Sequence, residues 1–211
     1  MRFSAEKGIK MSRKKPKDMS FANFAPSYDS GIAGKGSRKF YDLLLRVIEL
    51  HSGSSVLDVG CGTGTLLTMI SKKYEISGYG IDTEPNMIDA AVKNCPQMRF
   101  FVGGCDKLQF DDSIFDAVIA CMAYHHFDKK EEFAREAARV LKPGGILYIV
   151  DPRFPWVIRK TINGILRLVR VVGEFYTPDE IKDRFAEHGF ICNGAVTDSY
   201  AQVVKLQRKQ E

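Results

Sequence analysis

Val56-Leu-Asp-Val-Gly-Cys-Gly-Thr-Gly64 runs an apolar segment into three glycines at alternate positions, and Thr65-Leu-Leu-Thr-Met-Ile-Ser71 then continues at helical spacing. That layout builds a tight turn at the carboxyl end of a strand, where a ligand can approach bare backbone. Glycine suits the turn because it lacks Cβ and takes positive φ. The spacing separates two kinds of loop. A dinucleotide fingerprint reads G-x-G-x-x-G. Here the glycines fall at 60, 62 and 64, and position 65 is threonine. An acid, Asp58, stands two residues before the first glycine.

Outward from this loop, strand and helix patterns alternate. Upstream, 38–51 carries Phe40, Leu43, Leu44, Val47 and Ile48 at helical spacing. Ser54–Val59 is predicted as the first strand and 65–74 as a helix. A second strand is predicted at 76–81, ending in Asp82, and Pro85–Asn94 as a helix with proline in its first turn. Strands are expected at 98–102, at Phe115–Cys121 and at 146–151, the last two apolar enough to be buried on both faces. Between them a helix over 131–141 is stopped by Lys142-Pro-Gly-Gly145. Beyond lie a long amphipathic segment at 155–172 and Thr177-Pro-Asp-Glu180, which reads as a capping box. That helix runs to His188 and closes at Gly189, and 190–196 and 200–206 form a terminal strand pair. Alternating β and α with short loops predicts an open parallel sheet with helices on both faces.

At 211 residues and 45% hydrophobic the chain is expected to fold as one domain with a full core. No run approaches ~18 apolar residues, so no transmembrane helix is expected. The first residues lack the apolar centre of a secretory signal. Net charge is +5, but residues 1–17 alone hold seven Lys or Arg against one Glu, leaving the body near neutral. Residues 1–20 therefore read as a basic, disordered tail, with weak contact to nucleic acid or anionic lipid as the sharper alternative. The five cysteines (61, 95, 105, 121, 192) are odd in number and contain no C-x-x-C. They argue against a disulfide framework or zinc ribbon and for a reducing, cytoplasmic setting.

In such a sheet ligands sit outside the carboxyl ends of the strands, so the residues just past each strand carry the chemistry. Past the second strand, Asp82 stands 18 residues after Gly64, where a carboxylate can accept from both hydroxyls of a ribose. Past the third comes Gly103-Gly-Cys-Asp-Lys-Leu-Gln-Phe110, and past the fourth 120–127. In order, VLDVGCGTG, GIDTEPNMI, GGCDKLQFDDSIFDAVI and RVLKPGGILYIVD resemble the small-molecule branch of the class I S-adenosylmethionine methyltransferases over about 54–151. Phe24 and Tyr28-Asp29 look like the part of that branch that includes quinone and sterol methyltransferases.

The resemblance implies a doubly wound, mostly parallel seven-stranded sheet of the Rossmann-like methyltransferase kind with an antiparallel C-terminal strand. It implies S-adenosylmethionine as cofactor and S-adenosylhomocysteine as product. Gly60, Gly62 and Gly64 would approach the methionine part, with Asp58 orienting the loop and the ligand's ammonium group. Asp82 would hold the ribose, Met87 would pack near the adenine, and Tyr28 would fold over the ligand. Cys61, Thr83 and Ala120 complete the implied lining. The family pattern before the fourth strand reads roughly G-D-A-E-x-L-P-F, and this chain departs from it. Gly104 replaces the first acid and Cys105 the alanine, so the adenine is expected on the Cys105 backbone N–H and on Asp106.

His125 and His126 sit in Tyr124-His-His-Phe127, where an acceptor should meet the methyl group. A histidine there can remove a proton from a phenol or acidic carbon; the alternative is that one packs or caps the next helix. Cys61 and Cys105 read as small space-filling residues, since in-line displacement needs alignment and sometimes a base but no enzyme nucleophile. No metal site is expected.

Taken as a helix, 155–172 places Arg159, Lys160, Asn163, Arg167 and Arg170 in one ~100° stripe, with apolar residues filling the rest. The stripe is expected to face solvent while the wide apolar face covers the core. Alternatives are a substrate lid, the role the resemblance implies for an insertion at about 153–176, and a helix lying on an anionic membrane surface through 153–172. The leading reading is a cytoplasmic, alternatively membrane-peripheral, S-adenosylmethionine-dependent methyltransferase acting on a small lipophilic or aromatic acceptor. An RNA or protein acceptor is the rival, with no basic body or interleaved aromatics to support it. A binding protein without transfer activity is another.

Overall fold

The structure, a computed structural model, describes residues 32–169 and 173–210, with side chains from residue 36. In chain order the elements are α1 (Ile32–Val47), β1 (Ser54–Val59), α2 (Thr65–Ser71), β2 (Ile76–Asp82), α3 (Pro85–Asn94), β3 (Arg99–Val102) and β4 (Phe115–Cys121). They continue with α4 (Lys130–Val140), β5 (Leu141–Pro152), α5 (Trp156–Leu168), α6 (Pro178–Ala186), β6 (Phe190–Asp198) and β7 (Ala201–Arg208). The strands form one seven-stranded sheet in the order β3-β2-β1-β4-β5-β7-β6. β3, β2, β1, β4 and β5 run parallel, and β7 enters antiparallel between β5 and β6. The winding reverses between β1 and β4, which opens a crevice at their carboxyl ends.

Successive side chains of a strand point to opposite faces, and both faces of this sheet are covered. Leu57, Val118 and Ile149 pack with Phe133 and Ala137 of α4 and Phe185 of α6. Their neighbours Val56, Ile119 and Val150 pack with Leu43 and Leu44 of α1 and Leu67 and Ile70 of α2. Burial on both sides is why β4 and the second half of β5 read as nearly continuous apolar runs.

Several boundaries differ from the sequence expectation. α1 begins six residues before position 38, through Gly34 and Gly36, whose low helix propensity hid it. β5 takes in Lys142-Pro-Gly-Gly145: Leu141 pairs with Phe115, and a register shift follows before Ala117 meets Ile146. The capping box forms as predicted, with Glu180 N donating to Thr177 Oγ1 and Thr177 N donating to Glu180 Oε2.

The largest correction concerns α5. The inward face is mixed: Arg159 and Asn163 of the polar stripe turn inward with half-buried Ile162 and Leu166, Lys160 and Arg167 stay exposed, and much of the apolar face, expected to cover the core, is outward. Arg159 and Asn163 are only 8% and 9% exposed, whereas Leu168 is 82% exposed. Arg159 Nη1 donates to both oxygens of Glu180, at 3.0 and 2.7 Å. Asn163 closes a two-way bond with the Phe175 backbone, donating to its carbonyl and accepting its N–H at 3.0 Å each. Buried polar groups are normally hydrogen-bonded, and these partners lie in the return segment and in α6, so Arg159 and Asn163 turn to them. Residues 1–31, including the basic tail, lie outside the described residues, as do 170–172. Among the described residues no helix is long and apolar enough to cross a membrane.

Candidate functional site

The turn after β1 is built on backbone that only glycine adopts comfortably. Gly60, Gly62 and Gly64 have φ of 80°, 51° and 76°. At Gly60 a Cβ would also sit 2.6 Å from the Ala123 Cβ, so the turn is pressed against the segment that follows β4. At Gly62 the same construction meets open space, the side from which a ligand can reach the backbone. Gly60 N and Cys61 N both donate to Ile81 O, at 2.8 and 3.1 Å, which ties the turn to the end of β2.

Asp82, at that end, clamps the loop. Its Oδ2 accepts from Gly62 N at 2.9 Å and its Oδ1 from Glu84 N at 3.0 Å. A carboxylate offers about four lone-pair sites, so capacity remains for ligand hydroxyls. Asp58 is 2% exposed, and its Oδ1 has no hydrogen-bond partner. Burial, and secondarily the Asp82 charge, push its carboxyl up to about 8. An unpartnered buried carboxylate oxygen beside an open glycine turn calls for a cationic donor.

Other predicted residues fall in mixed positions. Cys61 is buried with its Sγ in the space that a Cβ on Gly80 would fill, and burial with Asp58 and Asp82 pushes its thiol well above the usual range. Cys105 is pushed up to about 11 by burial and Asp106. Both thiols are therefore protonated packing groups, as the sequence suggests. Met87 is buried on α3 and Thr83 is exposed next to Asp82. Asp106 is engaged by Lys129, whose ammonium holds its carboxyl below the usual range. The Ala120 side chain is fully buried in the core cluster of β1, β4 and α4, leaving only its backbone near the carboxyl end of β4. Tyr28 lies outside the described residues.

The two histidines part company. His126 is exposed, while His125 is 4% exposed in a 3-10 turn at Tyr124–His126. Asp151, 3% exposed at the end of β5, takes both polar hydrogens that His125 presents to it. Its Oδ2 accepts from the His125 backbone N–H at 2.9 Å, and its Oδ1 pairs with ring Nδ1 at 2.8 Å. Phe175 stacks on the imidazole at 4.9 Å and 22°, and Phe154 meets Phe175 edge-on at 5.0 Å. Sequence reading missed Asp151 and Phe175 as partners of this group. A carboxylate ending a strand at the crevice was the available signal for Asp151. Among the described residues no three His, Cys, Asp or Glu side chains gather to hold a metal.

Residues 56–145, which span the glycine turn, Asp82 and the β4 loop, match the family model described as a methyltransferase domain. The chain is similar to curated relatives with quinone-type names. Demethylmenaquinone methyltransferase of Chlorobaculum tepidum is 31% identical over 142 residues, which are 64% of this chain and 59% of that protein. The 2-methyl-6-phytyl-1,4-hydroquinone methyltransferase of Synechocystis sp. is 38% identical over 105 residues, 48% of this chain and 33% of that one. The chain thus spans between a third and three fifths of the length of these relatives. A SAM-dependent methyltransferase from Methanosarcina mazei shares the fold with a TM-score of 0.68 at 20% identity, over 77% of this chain and 95% of that one.

The Rossmann-like sheet and the methyltransferase domain expected from sequence are both present, and S-adenosylmethionine is the cofactor of the class. The residues in place fit it: an open glycine backbone, an unpartnered buried Asp58 oxygen and a carboxylate on the next strand. Asp82→Ala is expected to weaken S-adenosylmethionine binding by about 2 kcal/mol or more, the scale of a lost charge-assisted hydrogen bond. Titration calorimetry reads this directly, and an unchanged affinity would overturn the ribose assignment.

Proposed function

We propose that the protein is an S-adenosylmethionine-dependent methyltransferase acting on a small lipophilic or aromatic acceptor whose reacting atom carries an acidic proton. The observation behind the acceptor class is the buried His125–Asp151 pair at the carboxyl ends of β4 and β5, walled by Phe175 and Phe154. It belongs to the segment that touches the glycine turn through Ala123. The bound cofactor supplies a methyl group on a positively charged sulfur and is released as S-adenosylhomocysteine. Asp58 and the 60–64 backbone hold its amino-acid end, Asp82 its ribose, and Met87, Cys105 and Asp106 serve the adenine end. Asp151 accepts the Nδ1–H of His125, which leaves Nε2 as the lone pair that takes the acceptor's proton.

In this reading residues 153–176 cover the acceptor end of a single methyltransferase domain over 21–211. The quinone-type relatives support a lipophilic acceptor, and nucleic acid has no part in it. Five free thiols agree with a cytoplasmic location. Methyl-labelled S-adenosylmethionine and the purified protein, incubated with extract of the source cell, should place label in the lipid or small-molecule fraction. Label in RNA or protein would overturn the acceptor class, and cofactor binding without label in any fraction would favour a binding protein.

A further inference from the structure

α5 is turned inside out for a helix on a soluble surface. Six of the eleven exposed large apolar side chains among the described residues lie on this one helix and its C-cap: Trp156, Val157, Ile158, Ile165, Leu168 and Val169. Trp156 is 67% exposed, Val157 64% and Leu168 82%. Contiguous apolar patches of this kind mark contact surfaces. Arg159 and Asn163 of this helix are spent inward on Glu180 and Phe175. These bonds fix the helix with its apolar side out.

We infer that the outer face of α5 docks on an anionic phospholipid surface. Charge chooses this occupant. From Arg153 to Gly173 the chain contains no acidic residue. Arg153, Lys160 and Arg167 are exposed beside the apolar face, Arg167 also reaching Glu174. A convex helix with an apolar front and a cationic flank sinks its front among acyl chains and leaves the cations at the headgroups. A tryptophan at the end of the helix is suited to the boundary between the two. The seven Lys or Arg of residues 1–17 supply a second electrostatic signal in the same chain.

The placement serves the site. α5 leaves β5 just after Asp151, and its return segment stacks Phe175 on His125. A helix seated in the headgroup layer puts the acceptor end of the crevice next to the membrane, where a lipophilic acceptor is concentrated. This last step rests on the proposed acceptor class; the docking itself does not.

Trp156 is the chain's one tryptophan, so intrinsic fluorescence reports on this face without labelling. The full chain is mixed with vesicles of phosphatidylglycerol and phosphatidylcholine, and with phosphatidylcholine alone. Expected with the anionic vesicles are co-sedimentation, a blue shift of Trp156, and quenching by brominated acyl chains. The double variant Val157→Asp, Leu168→Asp, at exposed positions, should bind at least about tenfold more weakly and keep its affinity for S-adenosylmethionine. No co-sedimentation and no shift would overturn the proposal. So would binding that survives the double variant and vanishes in a full-length chain with Arg13, Lys14, Lys15 and Lys17 changed to Gln. A lipid-independent blue shift that grows with protein concentration would assign the face to a second copy and overturn it as well. Cofactor affinity is measured on the same samples, so loss of the methyltransferase reading is distinguishable from loss of docking.

Discussion

Asp151→Asn is expected to lower kcat by about 10³-fold while leaving cofactor affinity within about twofold. The reason is the tautomer of His125. Asp151 now accepts from both the backbone N–H and ring Nδ1 of that residue. Asparagine has one acceptor oxygen and one NH₂. If the oxygen keeps the backbone N–H, the NH₂ faces Nδ1 and drives the ring proton to Nε2, where a base needs its lone pair. The substitution is nearly isosteric in a fully packed site, so geometry and folding should survive. The checks are kcat against KM for the acceptor, and the dissociation constant of S-adenosylmethionine by calorimetry. A variant with kcat within about threefold of the parent would remove His125 from the reaction.

Asp58→Asn is expected to weaken S-adenosylmethionine binding by about 100-fold, since a charge-assisted hydrogen bond and a buried countercharge are lost together. It should also remove a pH dependence. Burial and Asp82 push the Asp58 carboxyl in the ligand-free protein up to about 8, against 3.8 for an ordinary aspartate. At pH 7 the free protein therefore holds a proton there. A cationic ligand favours the carboxylate, so binding should release about one proton and tighten as pH rises toward 8. Calorimetry in buffers of different ionisation enthalpy counts that proton, and the Asn variant should release none. The sign for stability follows from the same shift. The unfolded chain loses its Asp58 proton near pH 4 and the folded protein near pH 8, so ligand-free stability falls as pH rises through that window. The Asn variant should lose this contribution to the slope. A parent affinity independent of pH, or an unchanged affinity in the variant, would refute the assignment.

The two predictions concern residues of unequal visibility. Asp58 and Asp82 are readable because their chemistry is local to a strand end and a glycine turn. The positive φ at 60, 62 and 64 is a backbone demand that glycine meets wherever it occurs. The open parallel sheet was legible from alternating strand and helix patterns and from apolar runs too continuous for a one-sided strand. The pairing of Asp151 with His125 spans 26 residues and brings two strand ends together. No periodicity carries that information. Nor does it show that the side chain of Ala120, a strand residue near the crevice, turns into the core.

α5 marks the same boundary most sharply. A helical wheel separates its polar and apolar faces from the sequence alone, and the separation was right. Which face turns inward depends on what waits for it. Arg159 meets Glu180, 21 residues away, and Asn163 meets the Phe175 backbone, 12 away. The ion pair of Arg159 and the two-way bond of Asn163 give these buried polar side chains partners that solvent would otherwise supply. The sequence by itself determined the strands, the glycine turn and the acids beside it, because those are set by local backbone and by burial of contiguous residues. Only the tertiary structure decided the orientation of α5 and the partner of His125, because each rests on contacts between segments that the chain holds far apart.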